Sequence, residues 1–103
     1  MITLRIENRE EVLSEINPQW IHQQINRRRE DGLSPSVIIR IKEPGIDIIL
    51  ATPGSTNSYN TSSRRPNEKE QRILDLWSKL NLNRADFSSG NLVAFVQQVD
   101  RYL

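Results

Sequence analysis

The stretch Val37-Ile38-Ile39-Arg40-Ile41-Lys42-Glu43-Pro44-Gly45-Ile46-Asp47-Ile48-Ile49-Leu50 decides how the rest of the chain must be read. Two β-branched runs, Val37 to Ile41 and Ile46 to Leu50, flank Glu43-Pro44-Gly45-Ile46, where Pro at the second position and Gly at the third suit a type II turn. This predicts a β-hairpin. With Glu43 opposite Ile46, Ile41 faces Ile48 and Ile39 faces Leu50, and together with Val37 they make one continuous apolar face. The same register sets Lys42 beside Asp47, Arg40 beside Ile49 and Ile38 beside Ala51 on the other face, which is only half apolar. Two-residue hairpin loops prefer the primed turns, so the competing reading is a longer loop with a bulge, which shifts the pairing by one residue.

Upstream, Ile2, Leu4 and Ile6 alternate with Thr3, Arg5 and Glu7, the period of a half-buried strand. Asn8 and Glu11 then stand at capping-box spacing, which predicts a short helix with Val12, Leu13 and Ile16 on its apolar face. Asn17-Pro18 marks the start of a second helix, because Asn caps well and Pro tolerates the first helical position. Trp20, Ile21 and Ile25 continue an apolar stripe. Arg27, Arg28 and Arg29 suit the negative end of the helix dipole, and Gly32 can take the left-handed stop.

Downstream, residues 52–66 show no periodicity and contain no aliphatic side chain, which predicts a long mobile polar loop. Asn67 with Glu70 repeats the capping-box spacing ahead of Ile73, Leu74, Trp77 and Leu80 at helical intervals. Asn81 to Asn83 ends that helix. Ser88-Ser89-Gly90-Asn91 offers caps for a last helix carrying Leu92, Phe95, Val96, Val99 and Leu103, and Phe87 fills the corner between the two. The expected fold is therefore a single α+β domain over 1–103 in the order β-α-α-β-β-α-α. In it a three-stranded sheet, the N-terminal strand plus the hairpin, carries helices on one face. The place of the N-terminal strand beside the hairpin is left open.

Composition narrows the chemistry. The 103 residues hold 14 Lys and Arg against 13 Asp and Glu, so the whole-molecule field gives little long-range pull on nucleic acid or an anionic membrane. With no Cys, disulfides, thiolate zinc sites and cysteine nucleophiles are excluded. The N-terminus alternates and no apolar run reaches the ~18 residues of a membrane helix, so neither an export signal nor an anchor is expected and the reading is cytoplasmic. Glycines stand singly, with no phosphate-cradling pattern, and no cofactor is expected. His22 is the sole imidazole and lacks carboxylates at ligand spacing, so no metal is expected either. No nucleophile elbow accompanies Ser, His and Asp, and Asp47 beside Lys42 is explained as a cross-strand pair on a solvated face.

These exclusions leave a non-catalytic protein-interaction or regulatory module as the first expectation, with a nucleic-acid binder second and an enzyme last. Partner-binding candidates are Ile38, Arg40 and Ile49 on the half-apolar sheet face, and Tyr59, Arg64 and Arg65 in the polar loop. A homodimer through the sheet face or edge belongs to the same reading. The nucleic-acid alternative draws on the Arg64/Arg65 loop, on Arg27, Arg28 and Arg29, or on a C-terminal helix presenting Asn91, Gln97, Gln98 and Arg101. Against it, Glu30 and Asp31 adjoin the Arg triplet, and only Arg101 gives the last helix a phosphate contact.

Overall fold

The computed structural model describes residues 1–52, 59–60 and 64–102, with only the backbone at 13, 59 and 60. The chain runs β1 (Ile2–Ile6), β2 (Arg9–Val12), a single 3-10 turn at Leu13–Glu15, α1 (Pro18–Glu30), β3 (Val37–Glu43), β4 (Ile46–Thr52), β5 (Tyr59–Asn60), α2 (Glu68–Lys79) and α3 (Ser89–Tyr102). All strand pairs are antiparallel, in the order β2-β1-β3-β4-β5. Four are full strands, and β5 is a two-residue pairing on β4. No helix among the described residues is long and apolar enough to cross a membrane.

The sheet corrects the expected three-stranded β-α-α-β-β-α-α arrangement: the order is β-β-α-β-β-α-α, with β2 where a first helix was expected. Asn8 caps nothing. Glu7 and Asn8 instead form a two-residue turn that places Ile6 opposite Arg9, and the Glu11 carboxylate is taken by Arg9 Nε at 2.8 Å. Glu7 sits in the left-handed region at φ 57°, which disfavours a side-chain-bearing residue. Distant partners hold it there. Its N–H donates to Ser36 O at 2.9 Å, its Oε1 accepts from Ser36 N at 2.9 Å, and Arg28 Nε forms an ion pair with it at 3.0 Å. None of these contacts is local in the chain, so the Asn8–Glu11 spacing was no guide to the turn.

The β3–β4 hairpin has the expected two-residue loop and register, from Val37 opposite Thr52 to Glu43 opposite Ile46. Gly45 at φ 81° supplies the left-handed position that a type II turn needs, and no bulge shifts the pairing. β1 lies beside β3, with Leu4 opposite Ile39, which settles the place of the N-terminal strand. Of the polar loop expected at 52–66, Thr52 belongs to β4 and 59–60 pair with β4, while 53–58 and 61–63 lie outside the described residues.

Helix ends follow their caps. Asn17 accepts from Gln19 N at 2.9 Å with Pro18 in the first turn, and Asn67 and Glu70 complete a reciprocal capping box. α1 closes on Gly32 at φ 73°, with Leu33 N donating to Arg28 O at 2.9 Å and Gly32 N to Arg29 O at 3.0 Å. α2 closes the same way on Asn81 at φ 59°, with Leu82 N donating to Trp77 O at 3.0 Å and Leu82 buried. Asn81 is exposed and its side chain makes no hydrogen bond among the described residues. Asn81→Gly is therefore expected to stabilise by up to about 1 kcal/mol, and Asn81→Ala to destabilise, read from urea midpoints.

All three helices pack on one face of the sheet. Ile2, Leu4 and Ile6, Val37, Ile39 and Ile41, and Ile46, Ile48 and Leu50 meet Ile21, Ile25, Ile73, Trp77, Phe95 and Val99 in one continuous core. Trp77 and Phe95 meet edge to face, centroids 5.1 Å apart. Leu82 and Phe87 seal the α2–α3 corner from inside.

Candidate interaction surface

Because every helix among the described residues lies on one side, the other face of β1, β3 and β4 carries no layer formed by the described residues. The strand period of two sends Thr3, Arg5, Ile38, Arg40, Lys42, Asp47, Ile49 and Ala51 to that side. Ile38 is 37% exposed, while the alternating residues of the same strands are buried against the helices. Arg5 pairs across to Ile38 and to Glu10 on β2, and Arg40 stands between Thr3 and Ile49. Met1, Thr3, Arg5, Glu10, Ile38, Arg40, Lys42 and Ile49 line a shallow depression of about 540 Å³.

Its electrostatics are lopsided. Arg5 donates only to the Glu7 backbone oxygen, at 3.1 Å, and Arg40 and Lys42 make no side-chain hydrogen bond or ion pair among the described residues. Lys42 is opposite Asp47 in register, as expected, and the Lys42 ammonium makes no ion pair among the described residues. The N-terminal amine, at the rim, is bound to Glu43 Oε1 at 2.7 Å and to the Lys42 backbone oxygen. Three guanidinium and ammonium groups thus stand around Ile38 and Ile49, with Glu10 at one border and Asp47 at the other.

Comparison of the chain with protein-family models, with curated proteins and with solved structures finds no match. Function has to be argued from the surface itself.

The expected partner-binding residues separate into two groups. Ile38, Arg40 and Ile49 share the open face. Tyr59 occupies the register position opposite Leu50 on β5. Arg64 does structural work: its Nη1 and Nη2 reach the two oxygens of Glu70 at 2.5 and 2.6 Å. Glu70 is fully buried and also accepts from Asn67 N and Asp47 N, each at 2.9 Å. The Asp47 N–H points to the side of β4 away from β3, where among the described residues β5 pairs with Ile49 and Leu50 alone, and Glu70 accepts from it there. Chiefly the Arg64 hydrogen bond, opposed by burial and helped by the two backbone donors, pulls the Glu70 carboxyl down to about 2. The same hydrogen bond raises the Arg64 guanidinium, with Asp47 adding a smaller pull in that direction. Arg65 is exposed.

Of the seven helix residues expected to serve nucleic acid, Arg28, Arg29 and Asn91 are engaged inside the fold. Arg28 holds Glu7, and Arg29 donates to Ala85 O at 3.1 Å with its guanidinium 4.8 Å from the Phe87 ring centre. Asn91 Nδ2 donates to Leu80 O at 2.8 Å, tying α3 to the end of α2. Arg27, Gln97, Gln98 and Arg101 remain exposed, on two different helices.

One contact was invisible in the sequence. His22 Nδ1 lies 2.7 Å from Ser89 Oγ, joining α1 to the first turn of α3. Among the described residues no carboxylate hydrogen-bonds this ring, and the pair acts as a tie between two helices. Among the described residues, too, no three His, Asp or Glu side chains gather where they could hold a metal ion. Sequence reasoning also missed Arg5 and Lys42 as members of the basic group. The signal for Arg5 was its alternation with Leu4 and Ile6, which needed the β1–β3 pairing before it meant anything.

Proposed function

We propose that this chain is a non-catalytic protein-interaction module that receives another protein on the helix-free face of its sheet. One observation carries the reading: the face of β1, β3 and β4 turned away from the helices holds an exposed Ile38 and a half-buried Ile49 beside Arg40 and Lys42, whose side chains make no hydrogen bond or ion pair among the described residues. Apolar area ringed by polar groups marks surfaces that another macromolecule covers. The nucleic-acid reading draws less support, because Arg28, Arg29, Arg64 and Asn91 are engaged inside the molecule.

The test is photocrosslinking in native lysate, with benzoylphenylalanine placed at position 38 on the open face or at position 71 on the outer side of α2. A nuclease-resistant protein adduct from position 38, and none from position 71, is the expected result. Cargo released by nuclease, with affinity of the purified chain for DNA or RNA falling steeply as salt rises, would replace this reading with nucleic-acid binding.

A further inference from the structure

We propose that the helix-free face takes a short, extended, acidic segment of its partner, with carboxylates on Arg5, Arg40 and Lys42 and an aliphatic side chain on Ile38 and Ile49. This rests on the protein-interaction reading and adds the chemistry of what is bound. Arg40 and Lys42 are two residues apart on β3, so their positions repeat at about 7 Å. Arg5 is diagonal to Arg40 across the β1–β3 pairing, at a similar spacing of about 7–8 Å between backbone positions. Side chains at alternate positions of an extended peptide repeat at about the same 7 Å, so alternate acids match the cations one to one. Carboxylates suit guanidinium forks especially well.

The arrangement discriminates against two other occupants. A second copy packed face to face on a twofold axis near Arg40 would set the cations of one copy against those of the other, which is repulsive. A nucleic-acid strand gains from stacking rings and from a continuous basic track. Here no aromatic side chain among the described residues lines the depression, and Glu10 and Asp47 stand at either border of the cationic stretch.

The probe is a nine-residue peptide of alternating Glu and Ser with one central Leu in place of Glu, titrated into the isotope-labelled chain and followed by amide chemical shifts. Shifts confined to β1, β3 and β4 around residues 3–5, 38–42 and 47–50 are expected, weakening as salt rises because the contacts are exposed. Arg40→Glu with Lys42→Glu should lower affinity at least ten-fold while leaving the dispersed amide spectrum of the folded chain intact. Glu10→Gln should raise affinity two- to three-fold by removing the one acid inside the depression. The Gln-for-Glu version of the peptide should bind weakly or not at all.

The inference is overturned if millimolar peptide shifts no amide, or shifts only the helical side. It is equally overturned if the Gln version binds as well, if a thymidine single strand occupies the face instead, or if the chain self-associates through it and Arg40→Glu abolishes that. A crosslinked protein at position 38 together with a failed peptide titration would keep the interaction reading and reject the acidic segment.

Discussion

Replacing Glu70 by Ala is expected to lower the free energy of unfolding by about 3 kcal/mol, toward the lower end of what removing one partner of a buried pair costs. The carboxylate is fully buried and accepts from both terminal nitrogens of Arg64, from Asn67 N and from Asp47 N. Its loss takes away the α2 capping box and the acceptor that covers the β4 edge at Asp47. Arg64 is 42% exposed, so water recovers part of its share, which keeps the cost from the top of the range. Glu70→Gln is expected to cost nearly as much, because one carboxylate oxygen becomes an NH₂ facing donors.

The same site dictates a pH dependence. Because folding depresses the Glu70 pKa from near 4.5 to about 2, its contribution is fully present above pH 4.5 and is lost as the pH falls toward 2. The amount lost is at most about 3 kcal/mol. Urea unfolding between pH 6 and pH 2.5 should show this slope in the native chain and a flatter one in Glu70→Ala. An undiminished slope in the variant would assign the acid sensitivity elsewhere. Arg64→Ala weakens the same site, so Arg65→Ala is the cleaner probe of whether the neighbouring guanidinium serves binding.

Ile48→Ala is expected to cost about 2–4 kcal/mol, whereas Ile49→Ala and Lys42→Ala should each cost under about 1 kcal/mol. Ile48 is fully buried between the sheet and the helices, and truncating it leaves a cavity that a packed layer closes only in part. Ile49 is on the open face and only half-buried, and Lys42 is exposed and unpaired among the described residues. Chemical denaturation of the three variants measures the contrast directly. Equal losses at 48 and 49 would contradict the observed pairing of Ile41 with Ile48 and Arg40 with Ile49.

The candidate surface was legible in outline. Ile38, Arg40 and Ile49 could be placed together from the hairpin alone, since a strand alternates faces and the Pro44-Gly45 turn sets the register. Arg5 joins them only through the pairing of β1 with β3, and the hairpin register by itself points Lys42 to Asp47. Arg64 shows the opposite error of expectation. A basic residue in a polar segment suggests a free hand, yet its partner is a carboxylate six residues later whose burial depends on the packing of α2 against β4.

What the sequence determined by itself was local: the β3–β4 register, the Asn17 and Asn67 helix starts, the Gly32 stop, and the stripes that make the core. Each depends on residues within a few positions of one another, where side-chain period and backbone preference act before any distant contact exists. Only the tertiary structure decided that residues 9–12 extend as β2, that β1 lies beside β3, and that the described helices all pack on one sheet face. Glu7 is held in a left-handed turn by Ser36 and Arg28, and Leu4 meets Ile39 from 35 positions away. Such contacts are favourable only once loops have closed and the apolar faces have met, so no spacing of neighbouring residues could announce them.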